Sequence, residues 1–273
     1  MRKFALLAAT ALIVTTTNIT PALAQTSPTA EQSQASANLA SIIADYENWA
    51  AEQDPWTAGA EGNRDALSRL PDISREGELA RRAPLTRFRD RLATINPEAL
   101  SADERLNHTL LSRSVGLDLE RLELDQNRFA FNSEGGPEAM AGYLAGATRI
   151  ATVDDAEAWL LRLGALAGYY DAALANARRG VETGMVQPRI ISDRVVTSTA
   201  AAAAFALEND PLMRPMTTRP PNISEAAWAD LTGRARGIVV EQIVPARHRW
   251  ATFMADEYLP ASPVEPGAIG LGQ

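Results

Sequence analysis

The sequence predicts an all-α protein, an irregular bundle of long amphipathic helices with Pro-rich connections. Three observations carry that expectation. Apolar residues recur three and four positions apart over long stretches, as they do on one face of a helix. Sustained period-two alternation is missing, and no Asn-Gly or Asp-Gly turn joins two apolar runs. Helix-start residues such as Ser74, Ser101 and Asp154 stand ahead of periodic stretches.

After a polar leader from Gln25 to about Ser36, the residues Leu39, Ile42, Ile43, Tyr46, Trp49 and Ala50 form the first stripe. Asp54-Pro55 stops it, because proline pushes the residue before it out of the helical region. The segment from Trp56 to Asp72, with Gly59, Gly62 and Pro71, is expected to be an irregular loop. Ser74 caps a second helix that carries an arginine cluster to about Ile95 and is kinked or split at Pro84. Asn96-Pro97 closes it, and Ser101 with Glu104 forms a capping box for a third helix. That helix runs through Leu106, Leu110, Leu111, Val115, Leu119 and Leu122.

From Asn127 to Gly136 the pattern fails and a loop is expected. The clearest helix starts near Asp154 and has a stripe of Trp159, Leu160, Leu163, Leu166, Ala167, Tyr170 and Leu174, with Arg178, Arg179 and Gly180 at its end. Pro188 opens the next helix, whose Ala200 to Ala204 run suits close helix packing and which Asp210-Pro211 ends. Arg214 to Asn222 reads as an extended linker. A last helix starts at Ile223-Ser224, bends at Pro245 and continues to Tyr258.

Composition narrows the chemistry. The 273 residues contain no cysteine, which excludes disulfides, thiol nucleophiles and Cys-ligated metals. Residues 1–24 resemble a secretory signal: Arg2 and Lys3, an uncharged run from Phe4 to Val14, and the exit Ala22-Leu23-Ala24. Cleavage is expected between Ala24 and Gln25, leaving 25–273 as a single helical domain, exported to the periplasm or the extracellular space. The apolar run is too short to span a bilayer, and no membrane association is expected after signal removal. Lys3 is the only lysine, so the mature chain carries 24 arginines against 34 acids and a charge of −10. Schiff-base chemistry and a phosphate loop go with that lysine. No nucleic-acid partner is expected of so acidic a chain, since the arginines from Arg81 to Arg91 share their helix with Glu76, Glu78 and Asp90.

No catalytic, cofactor-binding or metal-binding residue can be assigned from the sequence. Its two histidines, His108 and His248, are 140 positions apart and neither belongs to an H-E-x-x-H pattern. G-x-S-x-G and G-x-G-x-x-G are both missing. The pairs Asp154/Asp155 and Asp256/Glu257 suit helix starts and solvated surface better than a glycosidase pair, which must face across a cleft.

Seven stretches carry a family resemblance: Leu70 to Ser74, Ser133 to Gly136, Thr148 to Ala151, Asp155 to Trp159, Asn176 to Gly180, Gln187 to Arg189 and Glu257 to Ala261. In that order they resemble the domain of unknown function 885 family, from about Ile42 to Ala261, over what corresponds to the amino-terminal half of a family member. The resemblance implies a helical, zinc-metallopeptidase-like domain whose H-E-x-x-H-like motif lies in the carboxy-terminal half, so zinc is expected only for the complete domain. This chain is therefore expected to be a truncated or split member, not catalytic alone. Two alternatives stand beside that expectation. One is a periplasmic binding or interaction protein that uses the helical cleft wall, for instance for a peptide-like small substrate. The other is a peptidase-like hydrolase completed by a separate carboxy-terminal half.

Overall fold

In the computed structural model, residues 29–265 are described. The expected signal sequence and the expected cleavage point between Ala24 and Gln25 lie outside them. Among the described residues the protein is all-helical; its only β pairing is an isolated bridge between Asn132 and Gly135.

Helix α1 spans Ala30–Gln53. It begins earlier than the stripe alone indicates, because Thr29 and Gln32 form a reciprocal capping box inside what reads as a polar leader. Asp54 ends α1 and caps a short helix, α2 (Pro55–Ala60), for which Pro55 sits in the first turn, where its missing N–H costs nothing. The expected irregular loop from Trp56 to Asp72 is thus partly helical, with a further 3-10 turn at Asp65–Ser68. Ser74 caps α3 (Arg75–Ala80) as expected, and the chain then breaks at Arg81 and resumes as α4 (Arg82–Ala93), with Pro84 in the first turn. Ser101 and Glu104 complete the capping box of α5 (Ala102–Glu123). α6 (Pro137–Ala147) carries so many small residues that no apolar stripe announces it.

The longest helix, α7 (Val153–Thr183), is started by Thr152 and Asp155 and stopped by Gly184 in the left-handed region, φ 72°. Gly180 is therefore inside the helix and not its cap. A Cβ there would lie 2.7 Å from the Met185 carbonyl oxygen and 2.9 Å from that of Arg128, so a side chain has no room. α8 (Arg189–Ala203) ends before Asp210, which instead caps a 3-10 segment at Pro211–Met216 within the expected extended linker. Only Ala202 of the alanine run is buried; Ala200, Ala201 and Ala204 face solvent, so one face of the run at most packs inward. Ser224 caps α9 (Glu225–Ile238). Pro245 does not end that helix, because a π turn at Val239–Ile243 widens the backbone ahead of α10 (Val244–Phe253). A second π turn, Met254–Tyr258, leads into the short α11 (Leu259–Ala261).

Two hydrophobic cores result. The smaller joins α1, α4 and α5 through Leu39, Ile42, Leu85, Phe88, Leu92, Val115 and Leu122, with Tyr46 edge-on to Phe88 at 5.4 Å. Leu106 and Leu110, placed on the same stripe by sequence, are more than half exposed, so α5 turns only its second half fully inward. The larger core packs α6, α8, α9 and α10 around α7, whose Trp159, Leu163, Leu166 and Tyr170 are fully buried. A buried ion pair, Arg247 with both oxygens of Asp210, ties the Pro-rich segment to α10.

Asp125, just after α5 at φ 48°, joins the two cores. Its carboxylate receives Arg75 from α3 at 3.1 Å and Arg179 from α7 at 2.8 Å, with Arg128 at 3.6 Å. Asn176 extends the seam by donating to the Ile73 carbonyl, 2.7 Å away.

Candidate functional site

The spacing of Asp155, Trp159 and Arg162 puts all three on one face of α7 near its start, at i, i+4 and i+7. Opposite them runs the strap from Pro55 to Arg69. Arg162 fastens it: Nε donates to the Arg69 carbonyl at 3.0 Å and Nη2 to the Ala66 carbonyl at 2.7 Å. Arg64 adds a 2.5 Å bond to Asp155. Together with the end of α6, strap and helix enclose a recess of about 420 Å³.

Asp155 does not serve as an open acid. Burial pushes its pKa up, but bonds from the Ala151 N–H, Arg64, Thr152 Oγ1 and the Thr152 N–H outweigh that and hold it below the usual carboxylate range. It stays ionised, organises the α7 start and neutralises Arg64.

Arg162 has no such partner. It is 6% exposed, no carboxylate lies within ion-pair distance among the described residues, and its Nη1 makes no hydrogen bond there. Desolvation lowers the pKa of its guanidinium from the ordinary arginine value, yet a group that starts so high stays charged. Beside it the buried Trp159 indole N–H also lacks a partner. The exposed Arg149 stands at the rim, donating only to the carbonyls of Gly146 and Thr148. Trp56, Leu67, Leu144 and alanines supply apolar walls.

A second recess of about 510 Å³ adjoins the first across Thr148 to Ala151 and adds Arg214 and Arg219. Five arginines and one aspartate line the two, on a chain that is acidic as a whole.

The sequence-level candidates fall elsewhere. His108 sits on α5, its Nε2 3.0 Å from the Leu92 carbonyl oxygen, where it fixes α5 to α4. His248 is exposed on α10, away from the recess. Asp154 is an exposed residue of the first turn of α7, and Glu257 pairs with Arg178 at 3.0 Å. Among the described residues no three His, Cys, Asp or Glu side chains converge as metal ligands would. The recess is not legible in the sequence because its arginines lie 98 positions apart along the chain. One signal is present: Arg162 interrupts the apolar stripe between Trp159 and Leu163.

No helix among the described residues is long and apolar enough to cross a membrane. No curated protein matches the chain. Among solved structures, "The crystal structure of the putative lipoprotein from Colwellia psychrerythraea" is similar, with a TM-score of 0.70 and 15% identity over 87% of this chain. The likeness at that identity is one of fold. This chain spans only 43% of that structure's length. A family model described as "Bacterial protein of unknown function (DUF885)" matches residues 55–271, from the first residue of α2 onward. Since that match covers most of the sequence, the chain belongs to the DUF885 family.

Proposed function

We propose that this chain is an exported helical portion of a DUF885 protein, forming one wall of a substrate cleft and not carrying out metallopeptidase-like hydrolysis on its own. The observation that carries the reading is the unequal coverage: nearly nine-tenths of this chain matches less than half of the solved relative. Hydrolysis by a zinc-bound water needs several ligands on one point, and among the described residues no three His, Cys, Asp or Glu are grouped that way. The relative's description as a lipoprotein supports export, although this sequence has no cysteine to carry a lipid. The cationic recess favours a second reading, a binding protein that uses the same wall.

Purified protein with added zinc, assayed on a panel of peptides and esters, should show no hydrolysis. Chelator-sensitive turnover by this chain alone would overturn the proposal. Amino-terminal sequencing of the exported protein should start at Gln25, and retention in the cytoplasm would count against export.

A further inference from the structure

We infer that the recess between the Pro55 to Arg69 strap and α7 binds the carboxylate of a small ligand with an apolar body, with Arg162 holding the carboxylate and Arg149 closing over it. This goes beyond the function proposed above and does not depend on it, because binding would occur whether or not the chain is catalytic.

A guanidinium taken out of water is costly unless it is paired. Arg162 has accepted most of that cost while pairing only with neutral carbonyl oxygens. Those two bonds fix the plane of the guanidinium and leave Nη1 for an incoming acceptor. A structural arginine needs no open cavity at its unpaired edge, yet here a recess of about 420 Å³ lies there, within the usual size range of small-molecule sites. The unpaired indole N–H of Trp159 is an independent sign of a missing acceptor. Buried donors are nearly always satisfied, and this one belongs to a side chain that lines the same recess, one helical turn from Arg162.

The chemistry of the walls selects the ligand. One uncompensated cation inside and one at the rim match a singly charged, two-oxygen head, which guanidinium groups recognise in plane. Asp155 is already neutralised by Arg64 and does not repel it. Trp56, Leu67 and Leu144 offer nothing to a polar body, so the rest of the ligand is aliphatic or aromatic. A phosphate, with more charge and more oxygens, would leave acceptors unmet against those walls.

The test titrates the purified full chain with N-acetyl-leucine, with its uncharged amide and with inorganic phosphate. Calorimetry and the fluorescence of Trp56 and Trp159 follow binding, and NMR follows the Trp159 indole N–H. The acid should bind and shift the Trp159 signal. The amide should bind at least about tenfold more weakly, the loss expected for one charge-assisted hydrogen bond. Arg149→Gln, whose side chain is exposed and holds no carboxylate, should weaken the acid several-fold and leave the melting temperature unchanged. Equal binding of acid and amide, binding of neither, tighter binding of phosphate, or indifference of the acid to Arg149→Gln would each overturn the assignment.

Discussion

Asp155 shows how much one side chain can organise. It caps α7, bonds the two N–H groups before the helix and holds Arg64 on the strap. Arg64 is mostly exposed, so the ion pair itself contributes little and the backbone bonds carry most of the stabilisation. Asp155→Asn should therefore lower stability by about 1–2 kcal/mol near neutral pH, read from urea unfolding. The sign of its pH dependence follows from a folded-state pKa held below the unfolded one. The carboxylate's contribution is complete above the ordinary aspartate value and is lost as pH falls through the depressed one. The gap between wild type and variant should accordingly be constant at neutral pH and close in acid; a gap that widens in acid would contradict this account. Asp155 is legible in the sequence as a helix-start acid. Its bond to Arg64, 91 positions away, is not, since only the folded strap brings the two together.

Among the elements, α7 decides the fold, and its glycines separate two roles that look alike in sequence. Gly180 allows the turn after α7 and the Arg128 backbone to approach within van der Waals contact, and both obstructing atoms are main-chain oxygens that cannot swing away. Gly168 lies on the same helix, and a methyl group added there would meet nothing within 4 Å. Alanine at a free helix position gains up to about 1 kcal/mol. Gly168→Ala should thus stabilise the protein, whereas Gly180→Ala should cost about 1–3 kcal/mol through overpacking, as compared by thermal melts. Equal effects at the two sites would show that the close approach is not maintained in solution. The helix starts at Ser74, Ser101 and Ser224 are readable because capping is local: a hydroxyl meets an N–H three residues on. α6 and the helical part of the strap are not, because short helices rich in Gly and Ala lack an apolar stripe and are held by their neighbours.

Across the whole molecule, two cores are joined by a seam of charge at Asp125. Burial raises the pKa of its carboxyl, and Arg179, Arg75 and Arg128 outweigh that effect and keep it ionised. Asp125→Asn preserves the shape and the tolerance for φ 48° while removing the charge that three arginines share. It should cost about 2 kcal/mol, between the worth of exposed and buried pairs. Hydrogen exchange should accelerate in α4 and α5 before it does in α7, because the smaller core loses its tie to the larger. Uniform acceleration of both cores would mean that they unfold as one unit irrespective of the seam.

Helix content, the helix starts at Ser74, Ser101 and Ser224, the acidic balance and the family were determined by the sequence alone, because each depends on residue type or on neighbours within a few positions. The tertiary structure decided which stripe residues are buried, that Gly180 is a contact point and not a terminus, and that arginines distant in sequence enclose a recess. Those outcomes depend on which surfaces meet, and a guanidinium's function is set by whether a carboxylate, a carbonyl or open space lies at its edge.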